Sequence, residues 1–197
     1  TAINDKPGFY LASNYVGLYL ITKEEGHWKI VNKIKGFDES SRDILADTEP
    51  NTYWVCHGYK GVYKLHFNSD YSRVDAVDHF TDKNGFKSPY NINVFNWKGK
   101  IIFTTNTGIY DYNNHNSRFE LYEPLNKLFD PTKNTRKILV ANNKTWFIQD
   151  DEAGYFDSNS ENPKLNKDLF LNLKGSFNRG MESIYPLSNG KVFFGTN

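Results

Sequence analysis

The sequence predicts an all-β chain assembled from copies of one four-stranded unit, on three observations. A triplet of glycine, an apolar residue and an aromatic recurs at Gly17-Leu18-Tyr19, Gly61-Val62-Tyr63 and Gly108-Ile109-Tyr110, with a weaker copy at Gly154-Tyr155-Phe156. The steps between these glycines are 44, 47 and 46 residues. An aromatic and aliphatic run stands before each triplet, and stretches alternating apolar with polar residues follow most of them. Such spacing marks stacked supersecondary units, none of which buries its apolar face without a neighbour.

The elements of the unit follow in order. The runs before the glycines are FYLASN (9–14), YWVCHG (53–58), IIFTTN (101–106), TWFIQD (145–150) and, at the end, VFFGTN (192–197). Aligned by column, Tyr10, Trp54, Ile102, Trp146 and Phe193 share one position, and Leu11, Val55, Phe103, Phe147 and Phe194 the next. Adjacent strand residues point to opposite faces, so two large apolar columns side by side predict a strand covered on both. Each run closes on Asn14, Gly58, Asn106, Asp150 or Asn197, which suit tight turns into the glycine strand.

A further strand is expected upstream of these runs, in RDILAD (42–47), INVFNW (92–97), RKILVAN (136–142) and ESIYPL (182–187). The turns EPNT (49–52), KGK (98–100), NNK (142–144) and SNG (188–190) lead from it into the next strand. Half-exposed outer strands are expected in HWKIVNKI (27–34), SRVDAVDHF (72–80) and SRFELYEPL (117–125), with a poor fourth copy within KLNKDLFLNL (164–173). Four antiparallel strands in about 45 residues are the signature of a β-propeller blade. The expected organisation is one propeller segment, 1–197, with partial blades at 1–35 and 181–197 and complete blades at about 42–80, 91–125 and 136–173. The chain is expected to open in the second strand of a blade and to stop after the second strand of another, as a fragment of a longer protein.

Composition agrees with such a β protein and narrows its chemistry. A hydrophobic fraction of 38% with 16% aromatics supports a core, and no apolar run approaches the about 18 residues of a membrane span. A net charge of +1 gives no electrostatic footprint for nucleic acid, so none is expected as a partner. Cys56, the single cysteine, cannot form an internal disulfide. Cys56 and His57 form a nucleophile and base in name only. The cysteine column holds Ala12, Thr104, Ile148 and Gly195, and no third orienting group is at hand, which predicts a filler role. Asp157, Asn159, Glu161 and Asp168 fit positions 1, 3, 5 and 12 of a calcium loop, but Asn162 replaces its glycine and a solvated loop is expected. Asp150-Asp151-Glu152 reads as an exposed hairpin tip, and Asn143-Lys144-Thr145 is a glycosylation sequon in a turn. No catalytic residue, metal site or cofactor is expected.

The segment DILADTEPNTYWVCHGYKGVYKL (43–65) resembles the repeat of two-component regulator propellers, where I-x-x-D leads through a turn into W-V-G-T and then G-L/V-Y-R/K. Ile44, Asp47, Trp54, Val55, Gly61, Val62, Tyr63 and Lys64 carry the match. Other copies depart from it, with Ile102 in place of the tryptophan, while VFFGTN (192–197) recovers the glycine and threonine. The resemblance implies the extracytoplasmic sensor of a hybrid histidine kinase or of a LuxR-type triple-tyrosine regulator of Bacteroidetes. It further implies partners: the rest of the propeller, a following immunoglobulin-like domain, and a second subunit in a homodimer.

Propellers bind ligands on the face where loops from several blades converge. That rim is expected at Asn14 and Tyr15, His57 to Lys60, Asn106 and Thr107, and Asp150 to Glu152, with loops 81–91, 126–136 and 174–181. Arg42, Tyr90 and Arg136 share one position, two residues before an inner-strand isoleucine. The candidate ligand residues are therefore Arg42, His57, Tyr59, Lys60, Tyr90, Asn106 and Arg136, offered to a small anionic or carbohydrate ligand. Aromatics stack on sugar faces, and arginine pairs with carboxylates through two parallel bonds. In the opposing reading the arginines neutralise acids such as Asp43 and Glu39 and the tyrosines cover strand ends. The expected function is non-catalytic sensing in the periplasm; a propeller-type polysaccharide-active enzyme and a protein-interaction scaffold are the alternatives.

Overall fold

The structure is a computed structural model and describes residues 1–196; Asn197, the last expected turn residue, lies outside them. The chain is all-β, built from several small antiparallel sheets, an arrangement that fits a propeller-like fragment. In the first sheet β1 (Phe9–Asn14), β2 (Gly17–Glu24) and β3 (His27–Lys33) lie in sequence order. The second holds β4 (Asp43–Ala46), β5 (Thr52–His57), β6 (Gly61–Phe67) and β7 (Val74–Phe80). The third repeats the pattern with β8 (Asn93–Trp97), β9 (Lys100–Thr105), β10 (Gly108–Asn113) and β11 (Arg118–Leu121). The last two are β12 (Thr135–Ala141), β13 (Lys144–Gln149) and β14 (Glu152–Asp157), then β15 (Ser183–Pro186) with β16 (Val192–Gly195).

The residues that carry the family resemblance turn out to be scaffold. Trp54 sits opposite Leu45 on one side and Lys64 on the other, and the Lys64 ammonium lies 5.5 Å from its ring centroid. The same ammonium pairs with Asp47 at 3.3 Å, both side chains only about a tenth exposed. Asp47 also accepts the Glu49 N–H at 3.2 Å, so the turn into β5 is closed by the acid that begins it. Asn51, in that turn, takes φ 54°, which asparagine tolerates better than most residues. Gly61 opens β6 at φ 89°, and a Cβ there would stand 2.1 Å from the Phe80 carbonyl oxygen of β7. Only glycine permits that approach.

The chain divides into two compact units, Thr1–Val94 and the part from Phe95 onward, with the division inside β8. In the first, Leu11, Leu18, Leu20, Val55 and Leu65 are sealed from solvent together with Tyr71. The Tyr71 hydroxyl donates to Asp5 at 2.8 Å and Asn51 at 3.0 Å, so this buried phenol finds the partners it needs. In the second, Ile102, Ile109, Leu125, Phe129, Phe147 and Phe156 form the core, with the Phe129 and Phe147 rings edge to face at 5.0 Å.

Several expectations are corrected. The Gly154 triplet is not a register copy of the others. His57 faces Gly61 and Thr105 faces Gly108, but Gln149, in the same column, faces Glu152. Gly154 instead opposes Phe147, where Tyr63 opposes Val55 and Tyr110 opposes Phe103. It is glycine because a Cβ would meet the Phe147 ring at 2.6 Å and the Asn166 carbonyl oxygen at 2.7 Å. The outer strand expected within 164–173 is absent: Asn166 makes one antiparallel bridge to Tyr155, and a 3-10 helix follows at Asp168–Leu173. Phe170 packs against Trp146, Tyr155 and Phe194 and Leu165 against the second core, while Leu169 and Leu171 stay exposed, so the unit expected at 136–173 carries a three-stranded sheet.

The strand expected over 117–125 ends at Leu121, because Pro124 starts a short helix α1 (Glu123–Asn126) in place of the ladder. Ala2 makes one antiparallel bridge to Tyr10, on the side of β1 that Leu45 takes beside Trp54 in the second sheet. The column expected to be covered on both faces fails at Phe193, which is 60% exposed.

Candidate functional site

The β5–β6 hairpin gathers most of the sequence candidates of the first unit. Its tip, Gly58-Tyr59-Lys60, has three residues, whereas the loops after Asn14, Thr105 and Gln149 have two. Cys56 and His57 are neighbours on one strand, so their side chains leave opposite faces and cannot act as a dyad. Cys56 is fully buried, and burial pushes its thiol well above the ordinary range. His57, also buried, accepts the backbone N–H groups of Tyr59 at 3.1 Å and Lys60 at 3.3 Å on Nδ1. Those two bonds fix the tautomer, leaving the proton on Nε2, which lies 3.8 Å from Glu39. Burial lowers the His57 pKa, with the Glu39 charge opposing it.

The rest of the tip is tied from outside. Lys60 donates to both carboxylate oxygens of Glu39 at 2.8 Å, and this bond holds the Glu39 carboxyl below its usual range. His79, whose ring stacks on Tyr63 at 4.3 Å, meets the Lys60 carbonyl at 2.5 Å. Tyr59 packs edge-on against His57 at 5.4 Å yet remains 73% exposed. Its ring is therefore held at the base and open to solvent on its outer face.

Arg42 lies beside this tip. Its backbone N–H donates to Cys56 at 2.8 Å, and a Cβ built on Gly58 would touch its Cδ at 3.7 Å. Arg42 also lines a cleft of about 490 Å³ with Tyr10, Trp28 and Asp43, and the Tyr10 and Trp28 rings meet edge to face at 5.0 Å. Tyr90 is half exposed, and the next residue, Asn91, donates its N–H to the Gly58 carbonyl at 3.2 Å. Arg42, His57, Tyr59, Lys60 and Tyr90 thus surround one hairpin tip, a polar surface with exposed aromatic faces.

Asn106 and Arg136 belong to the second unit. The Asn106 side-chain oxygen accepts from Asn134 Nδ2 at 2.7 Å. Arg136 occupies a β-bulge between Thr135 and Lys137, and its column matches that of Arg42: Asp43 faces Cys56 as Lys137 faces Ile148. Its guanidinium bonds Asp150 at 3.1 Å and lies 3.5 Å from the buried carboxylate of Glu182. Arg136 therefore neutralises acids of its own unit. In the neighbouring hairpin Glu152 is bonded by Lys133 and Lys167 at 2.9 Å each, which lowers its pKa to about 2.

Sequence reasoning did not find His79, Tyr10 or Trp28. His79 sits one residue before the end of β7 with no motif to mark it, and only the β6–β7 register, with Tyr63 opposite His79, brings it to the tip. Trp28 had a signal: a tryptophan on an otherwise exposed alternating strand. Among the described residues no group of three or more histidine, cysteine or acidic side chains converges as a metal site. Asp157 accepts the Asn159 N–H at 2.8 Å in a local turn.

No protein-family model matches the sequence. No curated protein matches it either. Two solved structures of the extracellular domain of BT4673 from B. thetaiotaomicron, described as a one-component and a hybrid two-component system, align with all of this chain at a TM-score of 0.64 and 14% identity. The extracellular domain of the hybrid two-component system BT3049 from the same organism aligns over 97% of it, at 0.58 and 12%. The chain spans about a quarter of the length of each. No helix among the described residues is long and apolar enough to cross a membrane. The chain has the fold of a segment of these extracellular domains.

Proposed function

We propose that the chain is a non-catalytic segment of a ligand-sensing propeller in the periplasmic part of a signal-transduction regulator. The observation that carries this reading is the alignment of the whole chain with extracellular domains of two-component systems. The chemistry of the tip supports it: His57, Glu39 and Lys60 are engaged with one another or with backbone, an arrangement suited to holding a surface rather than to turning over a substrate. The exposed rings of Tyr59 and Tyr90 with the Arg42 guanidinium offer stacking and paired hydrogen bonds to a carbohydrate or small anion. Such a ligand would bias the packing of the propeller against a following immunoglobulin-like domain or a second subunit, shifting a signalling equilibrium without chemistry.

Two measurements test the reading. Translation of the gene beyond Asn197 is expected to give further propeller repeats, an immunoglobulin-like domain, a membrane span and a kinase or DNA-binding module. A reading frame that closes without a membrane span overturns the sensor assignment. Calorimetric titration of the whole extracytoplasmic region with neutral and uronate-bearing oligosaccharides is expected to give heat that Arg42→Ala with Tyr59→Ala weakens at least about tenfold. An unchanged affinity in that variant removes the tip from the site.

A further inference from the structure

The second unit contains a cleft of about 500 Å³, within the about 300–1,000 Å³ of small-molecule sites. It lies between the β8–β9 turn, α1 and the segment 157–164. Phe156 and Leu125, both about 1% exposed, reach its lining from the core, and Trp97 and Leu128 add partly buried apolar surface. The Trp97 ring is fixed in place: its Nε1–H donates to Thr145 Oγ1 at 3.1 Å, and Thr145 in turn contacts Ser158 Oγ at 2.8 Å. One wall is therefore a rigid aromatic surface, the element that rings stack against at low entropic cost.

The polar groups of the cleft differ in how far they are engaged. Lys98 donates to the Ser158 carbonyl at 2.7 Å and lies 5.5 Å from the Trp97 centroid, so it belongs to the wall. Lys127 and Lys164 are exposed lining residues whose ammonium groups have no ion-pair partner among the described residues. The two carboxylates of the lining are Asp157, which accepts the Asn159 N–H, and the exposed Glu161. A cleft with a tryptophan wall and three lysines against two carboxylates, two of those lysines outside any ion pair among the described residues, suits a flat body with a negative charge.

We propose that this cleft binds a cyclic carboxylate, its ring against Trp97 and Leu128 and its carboxylate reaching Lys127 and Lys164. The carboxylate gains charge-assisted hydrogen bonds from two donors that have no competing partner. The ring gains by removing its own face and the exposed part of Trp97 and Leu128 from water. An aromatic acid and a uronic acid share this chemistry. The site is independent of the hairpin tip of the first unit, so it stands whether or not that tip senses a ligand.

The test follows the Trp97 indole N–H in ¹H–¹⁵N spectra of the uniformly labelled protein, its signal assigned by its loss in Trp97→Phe. The probes are 2-naphthoate and digalacturonate, with 2-naphthamide and the methyl ester of digalacturonate as uncharged counterparts. At least one acid is expected to move the signal saturably below about 1 mM, and its neutral counterpart to bind at least about tenfold more weakly, a difference of about 1.4 kcal/mol. Whichever acid binds more tightly identifies the source of the ring. Lys127→Glu with Lys164→Glu, both at exposed positions, is expected to weaken the acid by a similar factor with an unchanged circular dichroism spectrum. No saturable shift with either acid overturns the proposal. So does equal binding of acid and neutral probe, or a folded charge-reversal variant that binds as tightly as the wild type.

Discussion

Replacing Gly154 by alanine measures how tightly the second core is closed around the one repeat position that breaks the pattern. The backbone of Gly154 has no left-handed conformation to protect, so strain plays no part and the effect is purely steric. The added Cβ would stand 2.6 Å from Phe147 Cζ and 2.7 Å from the Asn166 carbonyl oxygen, about 1 Å inside ordinary contact in each case. Phe147 is wholly buried and held edge-on by Phe129, and Asn166 is tied to Tyr155 by backbone bonds of 2.8 and 3.1 Å. Neither neighbour yields freely, which puts the cost at the upper end of overpacking, about 3 kcal/mol. With a urea slope of about 2 kcal/mol per molar, the unfolding midpoint falls by about 1.5 M. Gly58→Ala is the control, because its Cβ meets only Arg42 Cδ at 3.7 Å, and it is expected to lie within about 0.5 kcal/mol of wild type. Phe147→Leu shortens the clashing ring, so the double variant Gly154→Ala with Phe147→Leu should be at least about 1 kcal/mol more stable than the two losses added together. Strict additivity, or a Gly154→Ala variant as stable as the control, refutes the steric account.

Three further outcomes are expected. Glu152 has a folded-state pKa of about 2 against an ordinary 4.5, so its stabilisation is complete above pH 4.5 and lost as the pH falls toward 2. After allowance for solvent screening it is worth about 1–2 kcal/mol, and Glu152→Gln should remove that part of the acid dependence in urea titrations at pH 3 and 6. Cys56, buried with its thiol pushed up, should resist 5,5′-dithiobis(2-nitrobenzoate) at pH 8 in the folded protein and react fully in denaturant; rapid native labelling would contradict the burial. Arg136→Ala should cost about 3 kcal/mol or more by leaving Glu182 buried without its counter-charge, and adding Glu182→Gln should recover part of it; a neutral Arg136→Ala would release this arginine for ligand binding.

The strands were legible because their apolar columns are paired: FYLASN coincides with β1, and the columns Val55, Phe103 and Phe147 are sealed as two adjacent apolar positions require. The turns were legible where asparagine and glycine supply positive φ, at Asn51, Asn142 and Gly190. What escaped depended on register. Glycine at 154 looked like glycine at 61 in spacing, yet it stands five residues after Gln149, where Gly108 stands three after Thr105, so across a tip of the same two-residue length Glu152 takes the hairpin-closing place. The segment 164–173 offered apolar residues at 165, 169, 170, 171 and 173; the aromatic cluster of Trp146, Tyr155 and Phe194 takes Phe170 and the core takes Leu165, while Leu169 and Leu171 stay exposed. At the hairpin tip, Arg42 is marked by its column and Tyr59 by its place in the loop after β5, whereas His79 reaches it across a strand that carries no sequence mark.

The replacement of one outer strand by the helix at Asp168–Leu173 also changes what the three-stranded sheet of the second unit presents sideways. Past the single bridge at Asn166, the outer edge of β14 has no strand beside it among the described residues, and an open edge of this kind invites pairing with foreign chains. Phe170 stoppers that edge without entering a ladder, so the residues around it owe nothing to a fixed hydrogen-bond count. This stretch is therefore where the repeat can gain or lose residues while every neighbouring register stays in step, a hinge point for divergence built into an otherwise metered chain.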